Sequence, residues 1–207
     1  MSWNPYASTS EEQGEVDAHS GADDTEAVTV ALLDDGDLHE LTIVDDWRSK
    51  IDPESLAAAV FTAYSRAERA RLDDVRDRAR LESERGDAPG IPTPSAPDIP
   101  AALLIEVSRE QPDYLATFDE SLRAARPLTS ADGNVTVTAV GGSLGAVEFD
   151  ATWLRFAVGR DIAEAARPLV AQAIRTGAEI EQEMRERFPA VTEFKRLRAL
   201  KVAARQS

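Results

Sequence analysis

The sequence contains no cysteine and only two histidines among its 207 residues. Without cysteine it can form neither a disulfide framework nor a thiolate metal site. His19 and His39 have no metal-ligand spacing, and no carboxylate is marked by its neighbours as buried or paired. The sequence therefore predicts no catalytic residue, no metal site and no cofactor, and indicates a non-catalytic protein.

Long apolar runs are also lacking. The N-terminal residues have no basic segment followed by an apolar stretch of the kind that marks a signal peptide. No apolar run approaches the length that a bilayer requires. We expect a soluble, cytoplasmic protein with no membrane contact.

Positive charge is scarce and unevenly placed. The chain has 23 Lys and Arg against 38 Asp and Glu, a net charge of -15. Residues 1–27 hold seven acids and no Lys or Arg, and their low hydrophobicity predicts that residues 1–24 form an acidic disordered tail. That tail either solubilises the protein or binds a partner.

The other end of the chain is basic. Five basic residues fall within residues 195–207, which contain no acid. We expect residues 188–207 to form a basic helical tail, with a helix that begins at Thr192. These side chains are either the exposed end of a helix or phosphate ligands, since Lys and Arg provide most non-specific affinity for nucleic acid. The candidate nucleic-acid-binding residues are Lys195, Arg196, Arg198, Lys201 and Arg205.

Residues 25–86 are predicted to form a first strand-hairpin-helix unit. Apolar residues alternate with polar or small ones over 28–32 and again over 40–43, the pattern of two half-buried strands. Residues 34–37, with the sequence Asp-Asp-Gly-Asp, supply the turn between them. Asp52, followed by proline, marks the start of a helix that we expect to reach Gly86.

Proline, glycine and serine concentrate in residues 87–100, which we interpret as a linker. The second unit, residues 101–187, begins with two helices, 101–110 and 113–126, which the Gln-Pro pair at 111–112 is expected to separate.

A second hairpin is predicted within 135–150, with its turn at Gly141-Gly142. Residues 154–158 are expected to form a third strand. A helix follows from about Asp161 to Arg187, and Pro168 either kinks it or shifts its start.

The two units resemble each other. Both contain a Val-Thr-Val strand, a turn, a return strand, a tryptophan and an aspartate that can cap a helix. Tryptophan is rare, so its recurrence is more informative than that of the valines, and the pattern indicates a tandem repeat. With a constant offset, Leu38, Leu41, Ile43 and Trp47 align with Leu144, Val147, Phe149 and Trp153.

The stretch GNVTVTAVGGSLGAVEFDATWL and the helices on either side of it resemble the YbaB/EbfC family of bacterial nucleoid-associated proteins. The resemblance covers Asp113 to about Arg187, and Thr25 to about Arg85 more weakly because a preceding helix is missing. It implies an α+β fold of paired units and a non-enzymatic, DNA-binding role. Two units in one chain can then form an internal pair, a pseudo-dimer. The positions that carry the family pattern are Gly133, Val135, Val137, Val147, Phe149 and Asp150.

The charge favours a different partner. Residues 28–130 carry a net charge of -9, and the arginines of 66–85 alternate with acids in a pattern of intrahelical ion pairs. The alternative function is therefore a protein-binding adaptor. The acidic N-terminus and the alanine-rich helix resemble accessory proteins of type VII secretion loci, and Tyr64 to Glu68 fits a short pattern of type VII substrates. Tyr64 is, however, expected to be a core residue.

Overall fold

The computed structural model describes residues 18–85 and 98–206, and the predictions for residues 1–17 and 86–97 lie outside these ranges. The described part contains two three-stranded antiparallel sheets packed on helices, which confirms the predicted α+β class. In the first unit, three strands precede one long helix. These elements are β1 (Ala18–Ala22), β2 (Val28–Leu33), β3 (Leu38–Ile43) and α1 (Leu56–Arg85), with short 3-10 turns at Trp47–Ser49 and Pro53–Ser55.

The second unit has the same order of strands and long helix, with one helix added before it and one after it. The sheet orders are β1-β2-β3 and β4-β5-β6. The elements of the second unit are α2 (Ala101–Arg123), β4 (Ala125–Thr129), β5 (Val135–Val140), β6 (Ser143–Phe149), α3 (Ala151–Leu154), α4 (Gly159–Arg187) and α5 (Pro189–Gln206).

The two sheets share one hydrogen-bonding register. Val28 pairs with Ile43 in the first sheet, as Val135 pairs with Phe149 in the second. The pairing also shifts by one residue at the same place in both sheets, after Ala31 in β2 and after Thr138 in β5, because His39 of β3 and Gly145 of β6 are the extra residues of the two pairs. A bulge adds one residue and twists the strand, so two bulges at matching positions give both sheets the same local bend.

The turns before the central strands match as well. Asp23 Oδ1 accepts a hydrogen bond of 2.8 Å from the amide of Val28, and Ser130 Oγ accepts one of 3.0 Å from the amide of Val135. Within these turns Glu26 and Gly133 both adopt a positive φ, 57° and 76°. The first turn thus holds a glutamate in the left-handed region, and the three backbone amides bonded to the buried Asp23 side chain hold that turn in shape.

One hydrophobic core joins the two units. Helix α1 packs on β1 and β2 of its own unit and on β6 of the other, while α4 packs on β5, β6 and β3. Three fully buried side chains of each helix occur at equivalent positions, and all six belong to one cluster. They are Leu56, Val60 and Ala67 of α1 and Ile162, Ala166 and Ala173 of α4.

Backbone contacts also cross between the units. The guanidinium of Arg48 donates to the carbonyl oxygens of Leu154 and Ala157, and that of Arg167 donates to the carbonyl of His39 over 2.8 Å. Helix α4 begins against the end of β3, where a β-carbon on Gly159 would lie 2.3 Å from the carbonyl oxygens of residues 43 and 44. Glycine is therefore required at the point where the second helix meets the first sheet.

The prediction of disorder over residues 1–24 is wrong for residues 18–24. Strand β1 has few apolar side chains, so composition alone does not predict it. It is held by antiparallel pairing with β2 and by close packing on α1. A β-carbon on Gly21 would lie 2.3 Å from the backbone nitrogen of Ala67, so the absence of a side chain lets β1 rest directly on the helix.

The helices of the second unit also differ from the predictions. Residues 101–123 form one helix that continues through Pro112, on an exposed side where water can satisfy the carbonyl that proline leaves unbonded. The helix ends at Arg123 rather than residue 126, because residues 125–129 form β4, a strand that the sequence analysis missed. α5 begins at Pro189, three residues before the expected start.

The predicted third strand at residues 154–158 is wrong. The chain instead makes a helical turn at 151–154, since Asp150 caps it by accepting a hydrogen bond of 2.7 Å from the amide of Trp153. Trp153 then packs on the shared core, as its counterpart Trp47 does. Pro168 lies inside α4, whose start at Gly159 is close to the predicted one.

Because the core is shared, we expect both units to unfold in a single transition. Leu56→Ala in α1 and Ile162→Ala in α4 should each lower the free energy of unfolding by about 2–5 kcal/mol, the usual cost of a cavity in a core. Urea unfolding followed by tryptophan fluorescence and by far-ultraviolet circular dichroism should give coincident curves for both variants. Leu72→Ala, at an exposed position of α1, is the control and should change stability by less than about 0.5 kcal/mol. Two separate transitions would contradict the shared core.

Candidate functional site

Helices α2 and α5 form a layer outside the shared core, together with the C-terminal half of α4. A second apolar cluster joins them, built on Val107, Ile180, Met184, Phe188 and Val191. We call this part of the molecule the α2–α5 layer. A counterpart of α2 in the first unit would precede β1, and no such helix occurs in the described residues.

A carboxylate fixes the junction between the two helices. Glu110 of α2 accepts hydrogen bonds from the amides of Ala190 and Val191, over 3.1 and 3.2 Å. These amides lie in the first turn of α5, where no helical carbonyl is available to them, and the negative charge is favourable at that end of a helix. Tyr114 then packs edge-on against Phe188 and parallel to Phe118.

Two of the five predicted basic residues have partners inside this layer. Lys195 donates to the hydroxyl of Tyr114 and its ammonium lies 4.4 Å from the ring centre. Arg196 forms two hydrogen bonds with Glu193, of 2.8 and 2.7 Å. This pairing raises the pKa of Arg196 and lowers that of Glu193. Neither cation is presented alone to a ligand.

The other basic residues are less constrained. Arg198 is exposed and Lys201 is half-buried, and neither has an ion-pair partner among the described side chains. They lie three residues apart, on one side of α5. Arg205 falls within the helix, but its side chain lies outside the described part of the structure.

The charge around α5 is not that of a phosphate-binding face. α5 packs on α2, and α2 carries five acids and two arginines. A groove of about 370 Å³ runs between α2, α4 and α5, and two ion pairs at its edge, Glu181–Arg185 and Glu193–Arg196, already neutralise most of its cations. The tertiary structure therefore sets acidic α2 beside the basic tail.

The most exposed feature of α2 is apolar. Leu104, Leu115 and Leu122 are 45%, 53% and 40% exposed, and Ile105 is 57% exposed. The three leucines are eleven and seven residues apart, so they lie along one side of the helix, next to the side that faces α5. The spacing of Leu115, Phe118 and Leu122 alone would place the three side chains on one apolar face of a helix. In the structure Phe118 packs within the α2–α5 layer, and the leucines remain uncovered.

Three arginines of α1 pair with acids of the same helix, as predicted. Arg71 binds Glu68 and Arg76 binds Asp73, over 2.8 and 3.2 Å. These pairs link residues three apart on the helix, and they remove both cations from any phosphate-binding surface.

A charged cluster stands where the second unit has apolar packing. Asp74 and Arg78 of α1 are equivalent to Ile180 and Met184 of α4, the residues that pack in the α2–α5 layer. The Arg78 guanidinium bridges Asp34 and Asp74, over 2.6 and 2.5 Å, and His19 bonds Asp34 over 2.8 Å. A helix that covered this face in the first unit would bury these charges at considerable cost.

The same cluster brings one histidine and two carboxylates within 4.8 Å of one another, the arrangement of a metal site. The guanidinium of Arg78 already bonds to both carboxylates and supplies the positive charge between them. The Arg78 hydrogen bond, followed by that of His19, lowers the pKa of the Asp34 carboxyl to about 2. The cluster is therefore an ion-pair network in which Arg78 supplies the positive charge.

Two further predictions concern residues near the hairpins. Tyr64 is a core residue, as expected, and burial raises the pKa of its hydroxyl. Gly141 and Gly142 form the turn of the second hairpin with positive φ, 58° and 81°, and Gly142 lies directly on Gly177 of α4. These glycines serve a turn and a close helix contact.

The chain matches no protein-family model, no curated protein and no solved structure. Within residues 18–85 and 98–206, no helix has both the length and the apolar character that crossing a membrane requires. Inference about function therefore depends on the geometry described above.

Replacing Arg78 should change the acid titration of Asp34. We expect Arg78→Gln to raise the Asp34 pKa from about 2 towards its ordinary value of 3.8, as followed by carboxyl-carbon NMR. Because the folded pKa lies below the unfolded one, the stability that Asp34 contributes is present above about pH 4 and is lost as the pH falls towards 2. The variant should lose this part of the pH dependence.

Arg76→Gln is the matched control, since Arg76 lies on the same helix but pairs with Asp73. It should leave the titration of Asp34 unchanged. An equal rise in the Asp34 pKa in both variants would show that general charge, rather than the Arg78 bridge, sets it.

Proposed function

We propose that this protein is a non-catalytic, cytoplasmic binding protein whose ligand is another protein. The observation that carries the proposal is the row of uncovered leucines on α2. Helix-mediated protein interfaces are commonly built on a few large aliphatic side chains spaced along one side of a helix. We name Leu104, Ile105, Leu115 and Leu122 the α2 stripe.

Electrostatics support a protein ligand over duplex DNA. Affinity for DNA depends on cations that neutralise phosphates, and each nearby acid opposes it. Here the net charge is -15, three arginines of α1 are paired within their own helix, and α5 lies against acidic α2. An adaptor role, such as that of a secretion accessory protein, tolerates this charge, whereas a nucleoid role requires a positive face.

Sequence-tolerant DNA binding is the second candidate. It is the role that the resemblance to the YbaB/EbfC family implies, and one observation favours it. Arg198 and Lys201 lie three residues apart on α5, with no ion-pair partner among the described side chains. In this candidate the footprint is α5 alone, so its affinity would be low and almost entirely electrostatic.

A salt titration separates the two candidates. We expect fluorescence anisotropy with a labelled duplex to show no binding at about 150 mM salt, because too few phosphates can be neutralised. Binding at low salt whose slope falls by about two when Arg198 and Lys201 are changed to Glu would instead support the DNA role. Arg76→Glu, on α1, is the control for the change in net charge.

The protein-binding role is tested in the cells that produce the protein. A photo-cross-linking amino acid at Ile105 should form a covalent adduct with a defined protein, and Leu115→Asp should abolish that adduct because it places a charge in the stripe. The same cross-linker at Val75, an exposed position of α1, is the control. Equal adducts from both positions, or adducts that survive Leu115→Asp, would refute a role for the stripe.

A further inference from the structure

The two sheets have four edge strands, which are β1, β3, β4 and β6. An edge strand leaves a row of backbone amides and carbonyls unpaired, and proteins commonly protect it with a helix, a proline or a charge. Helices of the opposite unit border two of the four edges. Gly159 of α4 lies against the carbonyl oxygens of Ile43 and Val44 at β3. Ala57 of α1 shares a groove with Phe149 of β6, so neither edge is open along its length.

The backbone of β1 alternates between its partner strand and its outer side. The amide of Asp23 bonds to the carbonyl of Val28 over 3.0 Å, so every second residue back from Asp23 directs its amide and carbonyl towards β2. The guanidinium of Arg66 agrees with this alternation, because it donates to the carbonyl of Ala22 over 2.8 Å from the outer side. The residues whose backbone groups face outwards, which we call the β1 edge, are Ala18, Ser20 and Ala22.

Strand β4 has the equivalent place in the second sheet, and its outer side is protected. The amide of Ser130 bonds to the carbonyl of Val135 over 2.9 Å, so Pro127 of β4 faces outwards. Pro127 and Ser20 are each the middle residue of a five-residue strand. Proline has no amide hydrogen to donate to a further strand, and it occurs in sheets where its nitrogen faces solvent. The second sheet therefore has a proline at the position where the first sheet has a free amide.

The β1 edge has none of these protections within residues 18–85 and 98–206. Strand β1 contains no proline and no Lys, Arg, Asp or Glu, and His19 is turned towards Asp34 and Asp74. No described strand pairs with its outer side, and Ser20 is exposed. The amide and carbonyl of Ser20 and the amide of Ala22 are therefore open to a ligand. An extended polypeptide is the ligand whose donors and acceptors recur with the same spacing, about 7 Å for every second residue.

Helix α1 determines which side chains such a polypeptide can carry. A β-carbon on Gly21 would lie 2.3 Å from the backbone nitrogen of Ala67, so α1 rests directly on β1. Alternate side chains of an added strand would thus face the side of α1 that carries Arg66. Arg69 lies one turn further on this side, is exposed and has no ion-pair partner among the described side chains. An acidic side chain on the added strand can pair with it.

We propose that the β1 edge binds an extended segment of another protein by strand addition, which gives the first sheet a fourth strand. The segment forms main-chain hydrogen bonds with Ser20 and Ala22, and it places an acidic side chain beside Arg69. This interface is separate from the α2 stripe and does not depend on the function proposed for that stripe.

Hydrogen exchange of the full chain, followed by NMR, tests this interface. In the free protein the Ser20 amide should exchange much faster than the amides of His19 and Gly21, which bond to β2. The probe is a short capped peptide in which valine and glutamate alternate. At millimolar concentration it should slow exchange of the Ser20 amide at least about tenfold. The same peptide with alternate nitrogens methylated keeps its side chains but loses main-chain donors, and it should have no effect.

Variants of the edge separate main-chain pairing from other modes of binding. Ser20→Pro copies Pro127 and should abolish the slowing of exchange at the Ala22 amide, whereas Ser20→Ala keeps the backbone amide and should bind the peptide normally. Arg69→Gln should weaken binding by up to about fivefold, the usual range for an exposed ion pair. Circular dichroism and thermal unfolding should show that all three variants are folded.

Four results would overturn the inference. A Ser20 amide that is already protected in the free protein would show that the edge is occupied within the chain. Failure of the valine–glutamate peptide to slow exchange would show that the edge does not accept a strand. An equal effect of the methylated peptide, or an effect that survives in Ser20→Pro, would place binding elsewhere. None of these results bears on cross-linking through Ile105, which tests the α2 stripe alone.

Discussion

The structure depends on the burial of each sheet against helices from both units. A three-stranded sheet packed on one amphipathic helix is a small unit that buries only a modest share of its surface, so it is marginally stable alone. Here α1 covers its own sheet and reaches β6, and α4 covers its own sheet and reaches β3. Neither unit completes its core without the other, so the repeat provides a stable pair within a single chain.

This mutual burial makes the differences between the units informative. The positions that pack on α2 in the second unit, Ile180 and Met184, are replaced by Asp74 and Arg78 in the first. In residues 18–85 and 98–206 no helix covers this face of the first unit, so the face is expected to be polar, and an ion-pair network with Asp34 and His19 makes it so. Within the described residues the asymmetry leaves the α2–α5 layer outside an otherwise paired body, and this layer carries the exposed surface on which the proposed function rests.

Local patterns predicted the parts of the fold that depend on local interactions. Alternating valines gave the central strands, the Asp-Gly and Gly-Gly pairs gave the turns, and the two long helices were expected close to their observed limits. Strands β1 and β4 were missed because their order comes from pairing with a neighbour and, for β1, from contact with α1 at Gly21. The sequence analysis divided α2 at Pro112, because the rule that a helix ends before proline takes no account of the packing that keeps the two halves in line.

The candidate site also has features that the sequence determined and features that only the tertiary structure decided. The sequence by itself determined the acidic balance, the absence of thiol chemistry, the basic residues of the last helix and the repeat of two units, because these follow from composition and spacing. Only the tertiary structure decided that Lys195 and Arg196 have partners, that α5 lies on acidic α2, and that Leu115 and Leu122 are uncovered. When a helix has more apolar side chains than one neighbouring helix can cover, its sequence does not show whether the other apolar side chains are buried or exposed. The positions of the neighbouring elements in space decide this.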